Sequence, residues 1–407
     1  MAEQVLAFDE ALSTVLAHAA KLGPPATSRS TSLAACRNTV LAEELHAQRD
    51  QPPFHRSTRD GYALRSASLG QPLKLLGTVR AGELWRGRPL QPGEAIEIMT
   101  GAPLPAGCDC VLMVEHATLL DGFVNAAPGR TLQPGENVVP QGSEALAGQL
   151  LLRPGLRIDA ATIALAASCG RSTLQTYAPP VVAIISTGDE LVELDPDTDL
   201  NPVPEPEQIF NSNTHALTAL VHAAGAQPLP LPIARDTLDD LRDRLAAARE
   251  ADLILFTGGV SMGKYDLVEQ ALAEAGATFH FTGARIQPGK PVVFGHLGNR
   301  QPFFGLPGNP VSTEVCFHLF VAPLLRALAG QREALAPNFV LATAAEAFPG
   351  KPNLLRFLPA HLSATRVTPV AWQGSGDVAA NARANCFAVV PPEGLAADAP
   401  VRILLRA

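Results

Sequence analysis

Apolar and polar positions change texture several times along this 407-residue chain. Residues 8–20 and about 32–47 repeat apolar side chains at helical spacing with few breakers, which predicts helices there. From Pro52 to about Pro140, short apolar runs such as 73–79, 95–99 and 111–115 are separated by Pro and Gly turns. That is the pattern of a small all-β module. Helical spacing returns at 159–168, so the β module reads as an insertion into a first domain.

From 178 to about 330 strands alternate with helices. Strands are predicted at 181–186 and 252–256, helices at 213–224, 238–249, 266–275 and 310–328, and two further strands before the last helix. This βαβ alternation predicts a mostly parallel sheet. Gly225 and Gly276 stand where helix C-caps favour glycine. After 335, short strands at 338–345, 354–361, 366–372, 386–391 and 400–405 predict a terminal β-barrel. The expected fold class is multidomain α/β plus β, with a helical linker domain at 1–50 and 141–177 and an inserted β module at 51–140. A central α/β domain at 178–330 and a C-terminal β-barrel at 331–407 complete it.

Composition narrows the partners. The net charge is −8 and Lys and Arg form no run, which argues against nucleic acid or an anionic membrane as ligand. The expected ligand is small. The first ten residues carry acids without a basic stretch, and no apolar run looks long enough to span a bilayer, so the expected location is cytoplasmic. The six cysteines are scattered, and Cys108-Asp-Cys110 is too tight for a usual zinc pair; buried packing thiols are expected.

Candidate chemistry gathers at strand ends. Thr257-Gly-Gly-Val-Ser261 follows a buried-strand pattern and precedes a helix, where glycine permits close backbone approach to an anion. The backbone amides of Gly258, Gly259 and Ser261 are its expected donors. Ser186-Thr-Gly-Asp-Glu190, Gln287-Pro-Gly-Lys-Pro291 and Leu306-Pro-Gly-Asn-Pro310 end apolar runs in the same way, and such ends gather on one edge of an open α/β sheet. Lys290 adds charge on a turn held by Gly289 and Pro291. Pro310 suits a first helical turn, with Asn309 a plausible cap. Asp189, Glu190, Asp236 and Asp266 are acids at or near strand ends, the residue type that holds a divalent cation through oxygen. Asp236 has an alternative reading as a helix cap, and Asp60-Gly61 as a turn.

Taken with Ser57-Thr-Arg-Asp-Gly-Tyr-Ala63 and Met99-Thr-Gly-Ala-Pro-Leu-Pro105, these motifs run in order along essentially the whole chain. Together they resemble the molybdopterin molybdenumtransferases, the MoeA and gephyrin E-domain family. The resemblance implies an enzyme of molybdenum cofactor biosynthesis that takes adenylylated molybdopterin and molybdate, inserts the metal and releases AMP. It implies Mg²⁺, a homodimer with sites shared between subunits, and the molybdopterin adenylyltransferase as a partner. Carried onto this sequence, it implies catalytic roles for Asp266, Glu190, Lys290, Asp60 and Thr100, with Asp266 and Glu190 holding the metal ion. The implied substrate contacts are Thr257, Gly258, Gly259, Ser261, Pro288, Gly289, Pro307, Gly308, Asn309, Pro310, Asp189 and Asp236, with Arg356 and Ser375 for the oxyanion.

Two positions depart from the pattern. Asn137 stands where many relatives have an acid, and Gln287 where they often have Lys or Arg. Two other functions stay open at this point: adenylylation of molybdopterin, which needs only the 178–330 segment, and a catalytically weak scaffold or binding homologue.

Overall fold

The computed structural model describes residues 4–195, 197, 203–259, 267–298, 301–333 and 335–406. The chain divides into two compact units. One comprises Met1–Ala42, Gly155–Asp159 and Thr173–Ala407; the other comprises Glu43–Pro154 and Ala160–Ser172.

In the first unit, helix α1 (Phe8–Lys21) buries Phe8, Ala11, Val15 and Ala19, a stripe at helical spacing. Its start is fixed by the Glu10 carboxylate, which accepts the Ala7 N–H at 2.9 Å. The βαβ segment then supplies β1 (Val181–Ser186), α2 (Ser212–Ala223), β2 (Gln227–Pro230), α3 (Leu238–Ala247), β3 (Leu253–Thr257), α4 (Leu267–Glu274), β4 (Ala277–Phe281), β5 (Val293–Leu297) and β6 (Gln301–Leu306). The sheet runs β2-β1-β3-β6-β5-β4. The β2-β1-β3-β6 part is parallel and the β6-β5-β4 part antiparallel. Apolar residues of β1 and β3 alternate between two cores, one under α1 and the last helices and one under α3 and α4.

Pro310–Leu328 is helical throughout, as α5 (Pro310–Cys316), a π turn at Phe317–Val321 and α6 (Ala322–Leu328). By length and composition this 19-residue run could cross a membrane, contrary to the sequence expectation that none is long enough. In the fold 83% of it is buried among protein atoms, which explains its apolar character.

The barrel is closed and five-stranded: β7 (Phe339–Ala344), β8 (Leu355–Ser363), β9 (Arg366–Pro369), β10 (Cys386–Val390) and β11 (Pro400–Leu405), in the order β8-β9-β7-β11-β10 with β10 paired back to β8. A short helix, α7 (Val378–Arg383), lies between β9 and β10.

The second unit holds a six-stranded sheet ordered Cys110–Met113, Gly61–Leu64, Glu94–Ile98, Leu73–Val79, Phe123–Ala126 and Ala117–Leu120. It also carries the helix Ala160–Ser168.

One predicted helix is absent. Residues 32–47 form turns and short strands, because the backbone pairs with distant segments: Asn38 N–H donates to Ile158, Leu41 to Leu156 and Ala42 to Gln175. Asn38 itself has a φ of 67°, which no helix accepts. Tertiary pairing overrides the local period here.

Candidate functional site

A cleft of about 910 Å³ opens at the carboxyl ends of β1, β3 and β6. Its floor is Thr257-Gly258-Gly259, leaving β3. Gly258 has a φ of +90° and Gly259 of +61°. A Cβ on Gly258 would lie 2.5 Å from the Thr187 carbonyl oxygen, and one on Gly259 would lie 2.7 Å from Thr187 Oγ1. Both positions therefore require glycine for conformation and for space. The Gly258 N–H is not free for an anion as the sequence suggested: it donates to the Leu306 carbonyl at 3.3 Å, tying β3 to the end of β6.

Asn213, in the first turn of α2, joins the walls. Its Nδ2 donates to Thr257 Oγ1 at 2.8 Å and to the Gly308 carbonyl at 2.7 Å. Asn213 Oδ1 and Thr187 Oγ1 are buried without a hydrogen-bond partner among the described residues. Buried polar atoms facing a cleft without partners suit a ligand that supplies them.

The acids lie on the other wall. Glu190 and Asp236 line the cleft, and the Asp236 N–H donates to Asp189 Oδ1 at 3.3 Å. Partial burial, then the charges of Asp189 and Glu190, hold the Asp236 carboxyl above its ordinary pKa. Asp236 is not a helix cap. Thr237 caps α3, its side chain accepting the Asp240 N–H, which leaves the Asp236 carboxyl to the cleft. The negative charge of Asp189 and Glu190 beside Asp236 favours a cation at this wall.

A second pocket of about 610 Å³ shares Pro291, Pro307 and Asn309 with the first. Its lining holds Lys290, Lys351 and Arg356, with Ser375, and no acid among the described residues. Arg356 Nη1 donates to the Pro349 carbonyl at 2.6 Å, while its Nε is buried and unpartnered among the described residues. Burial holds the Arg356 pKa below its usual value, although a guanidinium remains charged at neutral pH. Gln287 Oε1 is likewise buried and unpartnered. Pro288 and Gly289 line the same pocket; a Cβ on Gly289, where φ is +108°, would meet Cys316 Sγ at 2.6 Å.

Asn309 stands at the N-cap position of α5 but makes no side-chain cap hydrogen bond, so the cap reading fails and its amide is left at the junction of the two pockets. Pro307, Gly308 and Pro310 line the first cleft with it. Asp60 and Thr100 belong to the second compact unit, where Asp60 Oδ1 accepts the Thr100 N–H at 2.6 Å and its hydroxyl at 2.8 Å. Those bonds hold the Asp60 carboxyl below its ordinary pKa. Ser261 and Asp266 lie outside the described residues. Asn137 has a φ of 61° and donates from Nδ2 to the Val111 carbonyl at 2.9 Å, a left-handed position that asparagine tolerates and that accounts for it without chemistry. Asn213, Thr187, Lys351 and Gln287's buried oxygen were not anticipated as site atoms. The one local signal for Asn213 was its place just after the cap of α2, Asn211.

The chain matches the MoeA N-terminal region (domain I and II) over residues 6–170, a probable molybdopterin binding domain over 183–327, and the MoeA C-terminal region (domain IV) over 342–404. It is 36% identical to a molybdopterin molybdenumtransferase of Nostoc sp. over 79% of this chain and 74% of that one. It is 32% identical to the same-named protein of Haemophilus influenzae over 96% and 95%. The crystal structure of a molybdopterin biosynthesis MoeA protein from Pyrococcus horikoshii superposes with a TM-score of 0.82 at 25% identity, covering 99% of this chain and all of that one.

Proposed function

The chain belongs to the molybdopterin molybdenumtransferase family, and from that premise we propose that it inserts molybdate into adenylylated molybdopterin and releases AMP. The observation that carries this reading is the adjacency of two pockets of opposite charge: an acidic cleft beside a glycine floor, and a basic pocket that shares Pro291, Pro307 and Asn309 with it. A polyanionic nucleotide-linked pterin needs space, polar partners and a cation; an oxyanion needs fixed positive charge.

The larger cleft takes the pterin and its phosphates over Gly258 and Gly259, with Thr187 Oγ1 and Asn213 Oδ1 as the unpaired atoms they satisfy. Lys290, Arg356 and Ser375 hold molybdate in the basic pocket, the guanidinium offering a planar fork of donors. Lys351 adds a third positive charge there. Glu190 and Asp236, with Asp189 beside them, would hold Mg²⁺, which would supply neutralisation of the phosphate charge. The positive pocket keeps the oxyanion against the bound pterin, so both reactants share one concave site. Asp266 and Ser261 extend the cation and phosphate sites in this reading, and Asp60 and Thr100 the pterin site. The same reading makes the protein a cytoplasmic homodimer with sites shared between subunits, supplied by the molybdopterin adenylyltransferase.

The test is incubation with adenylylated molybdopterin, molybdate and Mg²⁺ while AMP is followed. AMP release that needs both molybdate and the divalent cation supports the proposal. Release that persists with chelator, or without molybdate, counts against it.

A further inference from the structure

Three histidines far apart in sequence meet beside the edge strand of the sheet. His18 lies in the last turn of α1, His280 in β4 and His296 in β5. One ring nitrogen from each falls within 4.8 Å of the others. His280 Nε2 and His296 Nδ1 are 3.1 Å apart, and their rings stack at 26° with centroids 5.1 Å apart. The His18 ring centroid is 5.5 Å from that of His280 and 5.8 Å from that of His296. We propose that His18, His280 and His296 form a binding site for a zinc-class divalent transition metal, which pins the far end of α1 to the sheet edge.

The backbone assembles the triad deliberately. In the β4–β5 pairing Phe279 faces Gly295 and Phe281 faces Phe294, so His280 is the extra residue of a bulge. A bulge re-aims a side chain, and here it brings His280 onto the ring of His296. His18 Nε2 is buried and has no hydrogen-bond partner among the described residues. Three imidazoles cannot satisfy one another through a single shared N–H, but a metal ion accepts a lone pair from each. Around tetrahedral zinc, ligand nitrogens at about 2.0–2.1 Å stand about 3.3 Å apart. The 3.1 Å His280–His296 separation already matches that, and His18, within 4.8 Å of both, has to approach by at most about 1.5 Å.

Charge is consistent with neutral ligands. Burial, then the charges of His280, His296 and Lys21, holds His18 below its ordinary pKa. Burial, then His296 and Lys21, does the same for His280. Neutral imidazole is the ligand form. Lys21, one turn from His18, is the charged group that opposes a cation here, and Phe294 packs edge-on against His18. All three histidines are half-buried. An all-imidazole donor set selects zinc, copper or nickel over magnesium or calcium. The N-terminal arm is already tied at its other end, where Val5–Leu6 pairs with Gly283–Ala284, so the metal would fix α1 at two points.

The full-length protein, stripped with chelator, is titrated with Zn²⁺ and separately with Co²⁺. Expected are one high-affinity equivalent per chain, a raised melting temperature with Zn²⁺, and the intense visible bands of tetrahedral nitrogen-ligated Co²⁺. His18→Asn, His280→Asn and His296→Asn each weaken Zn²⁺ at least about a hundredfold, the upper end of what loss of a supporting group alone costs. Glu190→Gln, in the acidic cleft, leaves this equivalent unchanged. The proposal is overturned if the unmodified protein binds no Zn²⁺, or if a triple histidine variant binds it as tightly. Should the variants not fold, the Co²⁺ spectrum of the unmodified chain decides: a weak octahedral oxygen-type spectrum overturns the site.

Discussion

Arg406→Met should uncouple the barrel from the helix that borders the site. Glu314, on α5, and Arg406, just after β11, form a paired contact in which Nε and Nη2 each donate to one carboxylate oxygen at 2.6 Å, with side chains only 15% and 22% exposed. Asn381 Nδ2 donates to the same carboxylate, and the Arg406 guanidinium also donates to the carbonyls of Asn381 and Ala384. His318 lies 3.6 Å away on the next turn, too far for a hydrogen bond. Burial alone would raise the Glu314 pKa, but the contacts with His318, Arg406 and Asn381 outweigh it and hold the value at about 2 against 4.5. That drop corresponds to about 3 kcal/mol of linked stability at neutral pH. Because the folded value is the lower one, the contribution is full above pH 4.5 and fades as the pH falls toward 2. It is about 2 kcal/mol at pH 3.5. Removing the guanidinium leaves a buried carboxylate unpaired, a change that costs about 3–5 kcal/mol where it has been measured. Trp372, next to the basic pocket and the barrel core, reports this region in a Trp85→Phe background. Urea unfolding followed by its fluorescence should show Arg406→Met destabilised by about 3 kcal/mol at pH 7 and visibly less at pH 3.5. AMP release should fall as well, since α5 opens at Asn309 and Pro310 and the Val311 N–H bonds the Ser375 carbonyl at 3.0 Å. Equal stability at pH 7, or an identical loss at both pH values, would refute the argument.

Gly258→Ala forces a non-glycine residue to φ +90° against the Thr187 carbonyl, so melting temperature and AMP release should both drop, by about 1–2 kcal/mol or more in stability; a variant with wild-type values in both assays contradicts the cradle. Asp236→Asn should behave oppositely in the two assays. Its folded pKa lies above the unfolded 3.8, so its contribution is full below that pH and lost as the pH rises through the folded value; at pH 7 without cation the amide should melt higher, while Mg²⁺ binding and AMP release weaken. Lys290→Ala should leave the melting temperature nearly unchanged and raise the molybdate concentration needed for half-maximal AMP release, which a titration reads directly. Asp60→Ala mixed with Glu190→Ala should recover about a quarter of wild-type activity if subunits share sites, and none if each site lies within one subunit.

Strands β1 and β3, the helices from Ser212 to Leu328 and the five barrel strands could be read from apolar runs and periodicity, because each buries at least one face and that demand repeats locally. The short β2 and one of the three strands β4–β6 were not foreseen. Thr257-Gly258-Gly259, Lys290 and Pro307–Pro310 were readable for a related reason: glycine and proline declare their backbone constraints in the sequence itself. What the local pattern could not decide is what distant segments do to one another. Residues 32–47 carry helical spacing, yet they pair with 156–158 and 175. Asn309 has the type and place of a cap but leaves that role unused, and Thr237 takes the cap expected of Asp236. The division into an acidic and a basic pocket depends on Glu190 and Asp236 meeting at one wall while Lys290, Lys351 and Arg356 meet at another. The joining of His18 to His280 and His296, and of Glu314 to Arg406, likewise arises only when the chain closes on itself. Such groupings have no period or spacing along the sequence, since they are set by which surfaces the fold packs together.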